Sequence, residues 1–114
     1  MRQKFFNFFA AILWAGIIFL LSSIPGNKYP QEAFDYSLFA HFGEYFVLTW
    51  LIFRAIGKYS YKKMVWILIL TGLFAISDEV HQSFIAFREV SLVDWIVDML
   101  GILVALTIFY VRKK

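Results

Sequence analysis

The stretch SDEVHQSF, Ser77 to Phe84, follows thirteen residues, Met64 to Ile76, that carry no charge. An apolar run of that length, closed by two acids, a histidine and a glutamine, reads as a helix crossing hydrocarbon whose last turns meet other polar groups. Composition supports the same solvent. Of 114 residues, 61% are apolar and 21% aromatic, where a soluble domain averages about 45–50% apolar. The length is that of one domain, 1–114. The absence of cysteine excludes disulfides and thiolate ligands.

A spanning helix needs roughly 20 mostly apolar residues. Four segments qualify as expectations: about 5–22, 36–56, 63–84 and 92–111. The second carries His41 and Glu44, the fourth Asp94 and Asp98. Backbone groups in hydrocarbon must be satisfied within the segment, so helices are expected. The predicted fold is an all-α integral membrane protein of four transmembrane helices. Trp66, Trp95 and Tyr110 stand near the proposed ends, where aromatic belts form.

Charge placement orients the chain. Arg2 and Lys4 precede the first span. Arg54, Lys58, Lys62 and Lys63 surround the second connection, and Arg112, Lys113 and Lys114 close the sequence. In a four-span arrangement these nine of eleven basic residues share one side, leaving Lys28 and Arg88 on the other. The positive-inside rule then places both termini in the cytoplasm of a multi-pass cell-membrane protein. The net charge of +3 is a topology signal on this reading and does not point to nucleic acid. A cleaved signal peptide is the alternative for the first span. Its 17-residue run from Phe5 to Leu21, with no small-x-small site before Pro25, favours an uncleaved helix.

At about 1.5 Å rise per residue, Glu44, Asp78 and Asp98 each lie about 9–10 Å below the outer boundary of a core about 30 Å thick. His41, His81, Gln82 and Asp94 lie up to one turn above. His41, Glu44 and Tyr45 share one helix face, as do Asp78, His81 and Gln82. Thr71, Ala75, Asp78 and Gln82 form a stripe on the third span. Asp94, Asp98, Gly101 and Ala105 form another on the fourth. Small residues let helices approach closely. The expectation is therefore a tight inner bundle that opens into an outward-facing polar pocket. Ionisable groups at membrane depth are costly, which favours their facing one another and water.

Simpler readings stand beside this one. Asp94 follows Ser91 by three, a capping-box spacing. Glu79 points about 100° from Asp78 and would also suit a solvated loop position. Arg88 suits either a carboxylate partner or an anionic ligand. Histidines at this depth also serve as simple interhelical hydrogen-bond partners.

Taken together, SSIP after the first span, HFGEY (His41, Glu44, Tyr45), SDEVHQSF (Asp78, Glu79, Gln82), Arg88 and DWIVDMLG (Asp94, Gly101) resemble the VanZ-like family of small bacterial integral membrane proteins. The resemblance spans about 22–105. It departs at Ala86-Phe87, where the family often has Pro-Gly before the arginine, and at Asp98, where it often has asparagine. The resemblance implies a cell-envelope function associated with teicoplanin resistance. It implies neither a reaction nor a cofactor.

Four functions fit these residues. The first is an outer-leaflet pocket that binds or modifies a surface lipid or lipid-linked cell-wall intermediate. Acids and histidines suit acid–base work there, although no activated nucleophile is evident. The second is a metal site built from His41, Glu44, Asp78, His81 and Asp98. The third is a proton- or ion-coupled carrier, which the apolar inner half disfavours. The fourth is a scaffold for envelope proteins. A homo-oligomer is compatible with each. The cysteine-free chain offers a direct test of topology. Lys28→Cys should be labelled by an impermeant maleimide from outside intact cells, and Lys62→Cys only after lysis. Labelling of both from outside would reject the arrangement.

Overall fold

The computed structural model describes residues 2–25, 34–57, 60–86 and 92–112. Lys28, Glu32, Lys58, Glu89, Lys113 and Lys114 lie outside them. Four helices make up the described structure: α1 (Arg2–Ser22), α2 (Phe34–Ile56), α3 (Tyr61–Gln82) and α4 (Leu92–Arg112). Their ends differ from the expected segments by three residues at most. At 21 to 23 residues each, they reach about 32–35 Å. Three of them, α1, α3 and α4, are long and apolar enough to cross a membrane. The length of α2 matches theirs, but His41, Glu44 and Arg54 are spread along it, so it has no equally apolar stretch of that length.

Sequence chemistry sets the ends. Past Ser22 the chain tightens, with Ser23 N–H donating to the Leu20 carbonyl at 3.1 Å and Ile24 N–H to that of Leu21 at 3.3 Å. Pro25, which has no N–H to continue the ladder, follows. At the far end of α2, Gly57 adopts φ +95° and its N–H caps the Phe53 carbonyl at 3.1 Å. This is the left-handed cap that glycine accepts without a Cβ penalty. The end of α3 loosens through three-residue turns, Phe84 N–H to the His81 carbonyl and Ile85 N–H to that of Gln82.

The helices run antiparallel in sequence order. The Lys4 side chain stands beside Gly57, Ser22 meets Gln82, and His41 meets Asp98. At the center is α2, which packs against α1, α3 and α4, whereas α1 and α4 are not neighbours. All described lysines and arginines sit at the helix ends opposite the Ser22–Gln82 contact.

The bundle is apolar outside and mixed inside. Phe5, Ile12 and Leu20 on α1 are 76%, 64% and 68% exposed, and Phe6, Leu70, Leu73 and Val93 are exposed as well. Asn7, Ser22, His41, Thr49, Thr71, Asp78, Glu79, Gln82 and Asp98 are buried among Ile18, Tyr45, Ile67, Ala75 and Ile102. A water-soluble bundle would bury its large apolar side chains. An apolar exterior this extensive needs lipid or protein around it. Hydroxyls off the core are satisfied locally, Ser77 on the Phe74 carbonyl and Thr107 on that of Leu103.

The closest approach is between α2 and α4. A Cβ on Gly101 would collide with the Phe42 carbonyl oxygen and come within 3.2 Å of the Phe46 nitrogen. Both are backbone atoms of α2, so no side-chain rotation relieves the clash. Gly16 has nothing within 4 Å of its added Cβ. Gly101→Ala is therefore expected to destabilise the bundle by about 1–3 kcal/mol, and Gly16→Ala to be neutral. Thermal melts in one detergent compare them. Equal behaviour would rule out a steric contact at Gly101.

Candidate functional site

The polar residues of α2, α3 and α4 meet about two turns below the ends that bear Ser22 and Gln82. The stripe read along α3 is buried throughout, at Thr71, Ala75, Asp78 and Gln82, and the one along α4 is buried at Asp98, Gly101 and Ala105 and half-buried at Asp94. Helical spacing turns them towards α2, where His41 and Tyr45, four apart, present one face.

Two hydrogen-bonded groups result. In the first, His41 Nδ1 lies 2.8 Å from Asp98 Oδ1, and His41 Nε2 lies 3.9 Å from Asp94 Oδ2. His41 is 5% and Asp98 0% exposed. A carboxylate on one ring nitrogen fixes the tautomer and orientation of the ring. In the second, Asp78 Oδ2 accepts from the Tyr45 hydroxyl at 3.3 Å and from Gln82 Nε2 at 3.2 Å. Gln82 Nε2 also donates to Ser22 Oγ at 3.1 Å, drawing α1 in. Tyr45 is fully buried, one helical turn from His41 on the same face of α2.

Several buried polar atoms lack a partner among the described residues: both Glu79 carboxylate oxygens, Asp98 Oδ2, Asp78 Oδ1, Thr49 Oγ1 and Trp95 Nε1. Four of the six belong to carboxylates of one cluster. Buried polar groups in native proteins are nearly always bonded, so such a concentration marks the cluster as a place for chemistry.

The expected site residues are distributed unevenly. His41, Tyr45, Asp78, Gln82 and Asp98 form the buried center, with Glu44 and Asp94 half-buried beside it. Asp94 faces His41, and the Ser91 of its capping-box spacing lies outside the described residues. Glu79, which also suited a solvated loop, is buried. His81 turns away towards α1: its Nε2 is 2.8 Å from Ser23 Oγ, and its ring stacks on Phe19 at 4.0 Å between centroids. Arg88 lies outside the described residues.

The order of these motifs can be compared with known proteins. A family model described as VanZ/LLP1 matches residues 6–113. The chain belongs to the VanZ/LLP1 family. No curated protein and no solved structure matches it. Family membership and the three apolar helices together make this VanZ-like chain a membrane protein.

Other residues of this VanZ-like site escaped the sequence reading. Ser22 and Ser23, read in the sequence only as part of SSIP, bond Gln82 and His81, yet serines at the end of α1 give no periodic signal. Trp14 donates its indole N–H to the Glu44 carbonyl at 2.8 Å, from within a run of similar apolar residues. Thr49 was legible, because His41, Tyr45 and Thr49 repeat every four residues along one face.

The bond between His41 and Asp98 is the strongest cross-helix contact of the cluster. The destabilisations caused by His41→Gln and Asp98→Asn should therefore be non-additive by about 0.5–3 kcal/mol, with the double variant less damaged than their sum. Chemical unfolding of the four proteins of this cycle measures the coupling. Strict additivity would mean that the bond contributes nothing.

Proposed function

We propose that the protein is a cell-envelope membrane protein whose polar cluster faces the outer leaflet, where it binds or modifies a surface lipid or lipid-linked cell-wall component and confers tolerance to glycopeptides of the teicoplanin type. One observation carries the reading: His41, Tyr45, Asp78, Glu79, Gln82 and Asp98, from three helices, are buried together in a chain with an apolar exterior. Ionisable groups at such depth are expensive and persist where they serve a ligand path or a reaction.

Orientation supports the outward placement. The described basic residues stand at the far end from the cluster, and the positive-inside rule puts that end in the cytoplasm. On this reading α2 is the fourth span, its polar residues shielded by α1, α3 and α4. The cluster then lies among the upper acyl chains of the outer leaflet, below the headgroups. His41, held by Asp98 on one ring nitrogen, is placed to exchange a proton through the other. Asp78, accepting two hydrogen bonds on one oxygen, offers the second to a hydroxyl or an amine.

The test separates charge from shape. Asp78→Asn keeps the volume of the side chain and removes its charge and proton exchange. It should reach the membrane at the parent's level yet lose glycopeptide tolerance in a deletion strain. Lipid extracts of the two strains should differ in the surface-lipid or lipid-linked precursor fraction. Full tolerance and unchanged lipids with Asp78→Asn would discard the site-based reading and leave a scaffold role.

A further inference from the structure

Glu79 presents the sharpest unsolved problem in the molecule. It is 7% exposed, and neither of its carboxylate oxygens has a hydrogen-bond partner among the described residues. Asp98, fully buried, spends Oδ1 on His41 and leaves Oδ2 without a partner. Asp78 and Asp94 belong to the same cluster, one bonded to Tyr45 and the other 3.9 Å from His41. Among the described residues, the imidazole of His41 is the one group there that can oppose them. The described lysines and arginines are at the other end of the bundle. Buried charges in proteins are paired or coordinate metals.

One ligand atom from each of His41, Glu79 and Asp98 lies within 4.8 Å of the other two. Around a four-coordinate ion with bonds of about 2.0–2.2 Å, ligand atoms stand about 3.4 Å apart. Small side-chain rotations cover the difference. The three residues come from α2, α3 and α4, so the backbone holds the set in place and an ion would fasten three helices at one point. We propose that His41, Glu79 and Asp98 form a binding site for a divalent first-row transition metal.

The donor set selects the class of ion. One imidazole nitrogen with carboxylate oxygens, and no sulfur, suits zinc and its neighbours over the softer copper(I) and over magnesium or calcium. Three protein ligands leave at least one position open, as in sites where a metal binds water or an anionic group. The ion would also give the unpartnered oxygens of Glu79 and Asp98 their missing counter-charge. The set differs from the one expected from spacing alone. Of His41, Glu44, Asp78, His81 and Asp98, only His41 and Asp98 fall in this group, and Glu79 completes it. His81 is occupied by Ser23 and Phe19. The inference does not depend on the cluster's organic ligand being a lipid.

The experiment uses the full chain, purified in detergent, stripped with chelator and titrated with Zn2+ or Co2+. The expected result is one equivalent bound, a Co2+ spectrum with the intense visible bands of a four- or five-coordinate ion, and a raised melting temperature. Glu79→Gln should weaken Zn2+ binding by more than about tenfold, and Asp78→Asn should leave it within about threefold, since ligation is specific to the three residues. Should Glu79→Gln fail to reach the membrane, the unmutated protein decides, because Zn2+ should protect His41 but not His81 from diethylpyrocarbonate. Less than a tenth of an equivalent bound, equal modification of both histidines with Zn2+ present, or equal loss with Glu79→Gln and Asp78→Asn would overturn the site. None of these readouts uses tolerance or lipid composition, so the metal site and the lipid reading stand or fall separately.

Discussion

The close approach of α2 and α4 at Gly101 governs the rest of the structure. Only a glycine lets the α4 backbone come so near the carbonyl of Phe42 and the nitrogen of Phe46. Because α2 and α4 run in the same direction, the residue beside Phe42 is then level with the residue one turn before Gly101. These are His41 and Asp98, whose side chains close to 2.8 Å. Asparagine and aspartate side chains are short, and a wider crossing would leave the carboxylate out of reach of the ring. A backbone constraint at one position therefore becomes a hydrogen bond at another.

The same crossing explains how a membrane-type chain holds so many polar groups. Lipid gives no hydrophobic drive to bring helices together, so small-residue contacts and interhelical hydrogen bonds must do so. Here they work at adjoining levels. Below the cluster, Gly101, Ala105, Ala75 and Thr71 form buried small faces. Above them, Asp98, Asp78, Gln82, Tyr45 and His41 bond across the gap. Phe53 and Phe109 stack at 3.9 Å near the far end, and Arg112 lies 5.9 Å over Trp50. The polar end is thus held by directional bonds and the basic end by aromatic packing.

Much of this was legible because helices translate spacing into direction. The four segments followed from run length, and the α3 and α4 stripes from three- and four-residue repeats. Depth could be counted from the ends. Azimuth was harder. Glu79 follows Asp78 by one residue, and a rotation of about 100° suggested that one of the two must leave the core. The buried face of α3 is wide enough for both, since Gly72 and Glu79 are buried as well as Thr71, Ala75, Asp78 and Gln82. The spacing of His81 from Asp78 was equally favourable, yet α1 lies on that flank and takes His81 for itself. Sequence periodicity describes one helix at a time. Which neighbour stands on each side of α3 is a property of the whole bundle.

The central helix carries His41 and Glu44 within its length, and its polar partners are far away along the chain. His41 and Asp98 are separated by 57 residues. During synthesis α2 emerges when only α1 is present, and the Trp14 bond to the Glu44 carbonyl is the long-range polar contact then available to it. The acid that orients His41 arrives with the last helix. Assembly of the cluster therefore has an order: the face of α2 that bears His41 stays without its Asp98 partner until α4 docks against it. The polar cluster is complete only when α4 is in place.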